Sequence, residues 1–144
     1  MNEQGRRFME LMQGFDRLYE EYAKAKGMTY ISLTVLDAIY ECEDVCTQKQ
    51  ICEETHYPKQ SVNLVIKSFW ESGYVELHEI PSDRRNKQIV LTDKGRAYAD
   101  DIVGSLWQAD KEATGKLSEA QREELLKLLD IYEKAFSDGV NALM

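Results

Sequence analysis

Apolar residues recur at steps of three and four from the start of the chain: Phe8, Leu11, Met12, Phe15, Leu18, Tyr19 and Tyr22. Arg6, Arg7, Glu10, Asp16, Arg17, Glu20 and Glu21 fill the opposite side, which predicts an amphipathic helix stopped near Gly27. A second helix is expected over 31–40, with Leu33, Leu36, Ile39 and Tyr40 on one face. Thr47-Gln48-Lys49-Gln50 has the form of a capping box, in which Thr47 accepts from the Gln50 N–H and the Gln50 side chain reaches back. The helix it opens is short, because Pro58 follows and reads as the first turn of another helix. That next helix runs to about Ser72 and stops at Gly73, with Val62, Val65, Ile66 and Phe69 inward and Lys59, Gln60, Asn63 and Lys67 outward.

Beyond Gly73 the period shortens. Val75, Leu77, Ile89 and Leu91 alternate with mostly polar residues and predict two strands. The stretch 80–87 between them reads as a long, charged turn. Thr92 then caps a helix carrying Tyr98, Ile102 and Leu106; Gly115 interrupts it, and Ser118-Glu119-Ala120-Gln121 is a second capping box. Leu125, Leu128, Leu129, Tyr132, Phe136 and Val140 form the stripe of the last helix. The expected fold is mainly α with a two-stranded wing (α+β), in the order four helices, two strands, two helices.

Composition narrows the function. The chain has 144 residues, 43% hydrophobic and 31% charged, the balance of a globular protein. No signal segment is visible, and the apolar run 30–40 is broken by Ser32, Thr34 and Asp37, so a cytoplasmic protein with no membrane association is expected. Three cysteines are no disulfide framework. A net charge of -8 speaks against nucleic acid until it is divided: residues 47–96 hold 8 Lys plus Arg against 7 Asp plus Glu, a net of +1, and the remainder carries -9. No nucleophile–histidine constellation or glycine-rich phosphate loop is present, so neither enzyme activity nor a cofactor is expected.

A short capped helix, a tight turn, a helix with a polar outer face and a charged hairpin together describe a winged helix-turn-helix. The first helix, with Thr47 and Gln48 at its start, braces the second across a phosphate backbone. The second offers Lys59, Gln60, Ser61 and Asn63 to base edges in the major groove, with Lys67 one turn on, within reach of a phosphate. The hairpin presents Arg84 and Arg85 to the minor groove, where negative potential attracts guanidinium, and Lys87 lies beside them.

The motifs Phe69-Trp70-Glu71-Ser72-Gly73-Tyr74-Val75, Asp83-Arg84-Arg85 and Ile89-Val90-Leu91-Thr92-Asp93-Lys94-Gly95 resemble those of the MarR family of bacterial transcriptional regulators. The resemblance is strongest over residues 47–96 and architectural elsewhere. It implies N-terminal helices over 1–44, a DNA-binding lobe over 45–95 and C-terminal helices over 96–144, the outer helices interleaving in a homodimer on a palindromic double-stranded operator. It assigns minor-groove insertion to Arg85, its orientation to Asp83 and a phosphate contact to Arg84. It also implies a repressor released by a small aromatic or phenolic effector.

Two alternatives compete: a winged-helix module that binds a protein partner, and a thiol- or metal-sensing regulator built on Cys42 and Cys46. Glu43 and Asp44 beside those cysteines raise a thiol pKa and work against reactivity, and no metal site is expected. Cys52 reads as a small packed hydrophobe. His56 is expected to meet backbone or solvent. Tyr19, Tyr22, Tyr30, Tyr40, Trp70 and Trp107 are candidates for core, dimer interface or an effector pocket.

Overall fold

A computed structural model describes residues 1–144. Its elements are α1 (Glu3–Ala25), α2 (Tyr30–Glu41), α3 (Gln48–Thr55), α4 (Lys59–Glu71), β1 (Val75–Ile80), β2 (Asp83–Leu91), α5 (Asp93–Ala99), a π-helical turn (Asp100–Gly104), α6 (Ser105–Thr114) and α7 (Glu119–Asn141). They fall into two compact units, Met1–Ser105 and Leu106–Met144. No helix is long and apolar enough to cross a membrane.

The core of the first unit is the inward side of α2 (Leu33, Val35, Leu36, Ile39), Ile51 of α3, the α4 face Val62–Val65–Ile66–Phe69, Val75 and Ile89 of the strands, and Ile102 and Val103 of the π-helical turn. Each such side chain contributes roughly 1.5–3 kcal/mol by leaving water. No polar or charged residue is buried among them. The α4 face is the one that the spacing predicts.

Local chemistry sets the helix ends. Asn2, Thr29, Thr47, Thr92 and Ser118 each accept a backbone N–H of the first turn they precede. At Ser118 the reciprocal Gln121 bond completes the capping box. At Thr47 only the Gln50 N–H bond forms, at 3.2 Å. The backbone of Thr47 is instead bridged to Gln88, so this helix start is tied to β2. Pro58 stands one place earlier than expected, as the N-cap of α4 and not in its first turn. Its extended ψ of 144° lies outside the helical range. Gly73 ends α4 in the left-handed region, φ +76°.

Two further expectations are corrected. The strands pair from Val75↔Leu91 to Glu79↔Lys87 and close at Ile80↔Asp83, so residues 83–87 belong to β2, and the connection is the short Pro81-Ser82 turn. The segment is polar on both faces and exposed at its tip, which erases the alternation that would announce a strand. The helix capped by Thr92 is divided into α5, the π-helical turn and α6. The Tyr22 hydroxyl donates to the Ile102 carbonyl within that turn at 2.8 Å, and Tyr40 donates to Asp100 at 3.0 Å.

One junction joins α4, the wing and α5. The Thr92 N–H donates to the Tyr74 carbonyl at 3.0 Å. Its hydroxyl donates to the Gly73 carbonyl at 2.6 Å and accepts the Gly95 N–H at 2.9 Å. Gly95 is required there, because a Cβ would overlap the Tyr74 carbonyl. The Leu-Thr-x-x-Gly pattern is thus a packing device.

In the second unit, Arg122 donates to the Thr114 and Leu117 carbonyls at 3.2 and 3.1 Å, closing the turn between α6 and α7. Neither helix buries a residue. Leu125, Leu126, Leu128, Ile131, Tyr132, Phe136 and Val140 of α7 are exposed, as are Leu11, Met12, Phe15, Leu18 and Tyr19 of α1.

Candidate nucleic-acid interface

The candidate surface is built by α3, α4 and the wing. Gln48, at the start of α3, donates from its side-chain amide to the Lys59 carbonyl at 3.2 Å, fixing the spacing between the first turns of α3 and α4. Its amide is therefore partly committed to the turn. Lys59, Gln60 and Asn63 are exposed along α4, and Ser61 is half-buried at its flank. Lys67 lies 3.9 Å from Glu71 in an exposed pair, which leaves its ammonium close to freely solvated.

The wing carries its cations on an irregular ladder. Between Glu79↔Lys87 and Ile80↔Asp83, β2 has three residues, Arg84, Arg85 and Asn86, with no partner on β1. Asp83 organises this excess: its carboxylate accepts the Arg85 N–H at 3.1 Å and the Asn86 amide at 2.7 Å. The Asn86 and Arg85 bonds, with Lys49 nearby, hold the Asp83 carboxyl below the usual carboxylate range. Asp83 thus acts on Arg85 through the backbone and leaves its guanidinium exposed.

Between α3, α4 and the wing lies an open groove of about 650 Å³. It gathers Gln48, Lys59, Asn63, Arg85 and Lys87 from the expected set. Thr47, Gln60, Ser61, Lys67 and Arg84 stand outside its lining. Its floor is Ile66, Leu77 and Ile89; its charged lining is Lys49, Lys59, Arg85 and Lys87 against Glu53 alone, four positive and one negative. Such a surface suits an anionic polymer with polar edges.

Sequence reasoning missed three contributors. Lys49 was visible as a cation in the first turn of α3, one position past Gln48. Asn86 was hidden because its role depends on the bulge. Leu64 belongs to no motif in the sequence, yet it is 67% exposed on α4.

No group of three or more His, Cys, Asp or Glu side chains is placed to hold a metal. Cys46 is buried, and burial with Cys42 beside it pushes its thiol up to about 12. Cys52 is half-buried and lines the groove. His56 caps α3 in the left-handed region, φ 58°. Tyr22 and Tyr40 spend their hydroxyls on the π-helical turn, and the Tyr19 and Tyr30 rings lie 6.2 Å apart.

Residues 26–86, from the end of α1 to the wing bulge, match the model of the MarR family. The HTH-type transcriptional regulator BilQ of Clostridioides difficile (strain CD3) is 27% identical over 86 residues, 60% of this chain and 58% of that relative. The aligned region thus spans less than two-thirds of the relative's length. A solved MarR family regulator from Neisseria meningitidis shares the fold with a TM-score of 0.78 at 24% identity, covering both chains in full. The S. aureus MepR–DNA complex superposes with a TM-score of 0.70 at 16% identity, over 89% of this chain and 97% of that one. Over residues 26–86, which hold the helix-turn-helix and the start of the wing, the chain is thus similar in sequence to the MarR family, and its fold is the one solved MarR family regulators have.

Proposed function

We infer that the protein is a homodimeric, sequence-specific DNA-binding regulator, a repressor that leaves a palindromic operator when a small aromatic or phenolic effector binds. It works in the cytoplasm without catalysis. The observation that carries the reading is the shared groove: the polar side of α4 and Arg85 of the wing border one cationic surface. In this arrangement Lys59, Gln60, Ser61 and Asn63 meet base edges, Arg85 enters the minor groove, and Thr47, Gln48, Lys67, Arg84 and Lys87 meet the backbone. The MepR–DNA complex supports the same reading for this fold.

Dimerisation is supported by surface. Exposed apolar rows on α1 and α7 supply the material, in helices assigned to the flanking 1–44 and 96–144 segments.

Fluorescence anisotropy with fragments selected from genomic DNA tests the proposal. Six to ten phosphate contacts imply a loss of ~10³–10⁵ in affinity between 50 and 200 mM salt. Arg85→Ala should weaken binding severely while leaving the unfolding transition unchanged. Sedimentation should give twice the 16.7 kDa chain mass, about 33 kDa. A salt-insensitive monomer with no preference over random duplex ends the proposal and favours a protein-interaction module.

A further inference from the structure

We propose that Leu64 packs on the C5-methyl group of a thymine and so specifies one A·T pair in each half-site. The proposal rests on the DNA-binding reading above and names what one residue of that surface recognises.

The first observation is the position of Leu64. Val62, Val65, Ile66 and Phe69 define the buried side of α4. Leu64 lies four residues after Gln60 and three before Lys67, so it shares their line on the outer side. It is the middle member of that line, flanked at the next position around the helix by Asn63. The second observation is isolation. Leu64 is 67% exposed, yet its exposed neighbours within a turn, Gln60, Asn63, Lys67 and Ser68, are all polar. A protein-docking face needs a contiguous apolar patch, and this is a single isobutyl group set among donors, acceptors and a cation. On the DNA-binding reading, the partner that fits this setting is a polar, anionic surface with an apolar spot the size of one methyl. The major-groove edge of DNA offers that spot at the thymine methyl.

The experiment uses the full-length protein and its selected operator, with each thymine replaced in turn by deoxyuridine, which removes only the methyl. Wild-type protein should lose about fourfold in affinity at one position per half-site, equivalent to ~0.8 kcal/mol for one methyl-sized apolar contact. Leu64→Ala should bind more weakly and respond less than twofold to the same replacement. Leu64→Met, which keeps an apolar side chain, should retain the sensitivity. Exposure of Leu64 predicts an unchanged unfolding midpoint for both variants. If no deoxyuridine position separates wild type from Leu64→Ala on DNA that both bind, the proposal is overturned. If wild type shows no duplex preference at all, the DNA-binding reading fails first and takes this one with it.

Discussion

Replacing Gly95 with alanine should destabilise the protein, against the usual effect of that substitution in a helix. In a helix interior, alanine is favoured over glycine by about 1 kcal/mol. Here the new Cβ would overlap the Tyr74 carbonyl oxygen and lie 2.6 Å from its carbon and 2.9 Å from its Cα. These are backbone atoms, so no rotamer change relieves the overlap. Tyr74 is pinned by its N–H bond to the Phe69 carbonyl, 2.8 Å, and by the Thr92 N–H at 3.0 Å. Its ring also stacks on Tyr98 at 4.1 Å. Overpacking costs about 1–3 kcal/mol. Losing the Thr92–Tyr74 bond adds about 1 kcal/mol. After the gain in helix propensity, the net loss is roughly 1–3 kcal/mol. Urea unfolding followed by circular dichroism, at one fixed protein concentration, reads this directly. A Gly95→Ala protein as stable as wild type would refute the packing argument.

Three further outcomes follow from the geometry. His56→Gly should stabilise by about 0.5–1 kcal/mol, because a non-glycine residue at φ 58° carries left-handed strain; a loss of stability in urea would show that the imidazole has an unrecognised partner. The lowered Asp83 pKa means that its contribution to wing order is present above the unfolded carboxylate pKa and fades only as pH falls through the lower folded value. The Arg85 amide resonance should accordingly titrate below the usual Asp midpoint of about 3.9, and a midpoint at or above it contradicts the assigned bonds. With its thiol pushed up to about 12, Cys46 should resist iodoacetamide at pH 8 until the protein unfolds. Rapid native-state alkylation mapped to Cys46 would revive the thiol-sensor alternative.

The sequence was most legible where one side of an element is buried and the other wet. Val62, Val65, Ile66 and Phe69 imposed a helical period on α4, and its outward residues could be named without coordinates. The wing tip was illegible for the opposite reason. Residues 83–87 are polar on both sides, so nothing in their order separates a strand from a turn, and the Asp83–Asn86 bond is a product of the bulge. Gln48 and Lys59 are joined across 11 positions by a bond that no local pattern reports. The π-helical turn has no residue signature either; it is apparent only from where Tyr22 and Tyr40 place their hydroxyls. Gly95 was readable as punctuation, but its cause, the carbonyl of Tyr74, lies in another element.

The three unpaired residues of β2 bear on how such a protein diverges. Ladder pairing between Val75↔Leu91 and Glu79↔Lys87 is complete without Arg84, Arg85 and Asn86. Arg84 and Arg85 are exposed and contribute nothing to the apolar core. Substitutions at those two positions are therefore nearly free of folding cost, so the charge displayed at the wing tip can change without compensating changes in the core.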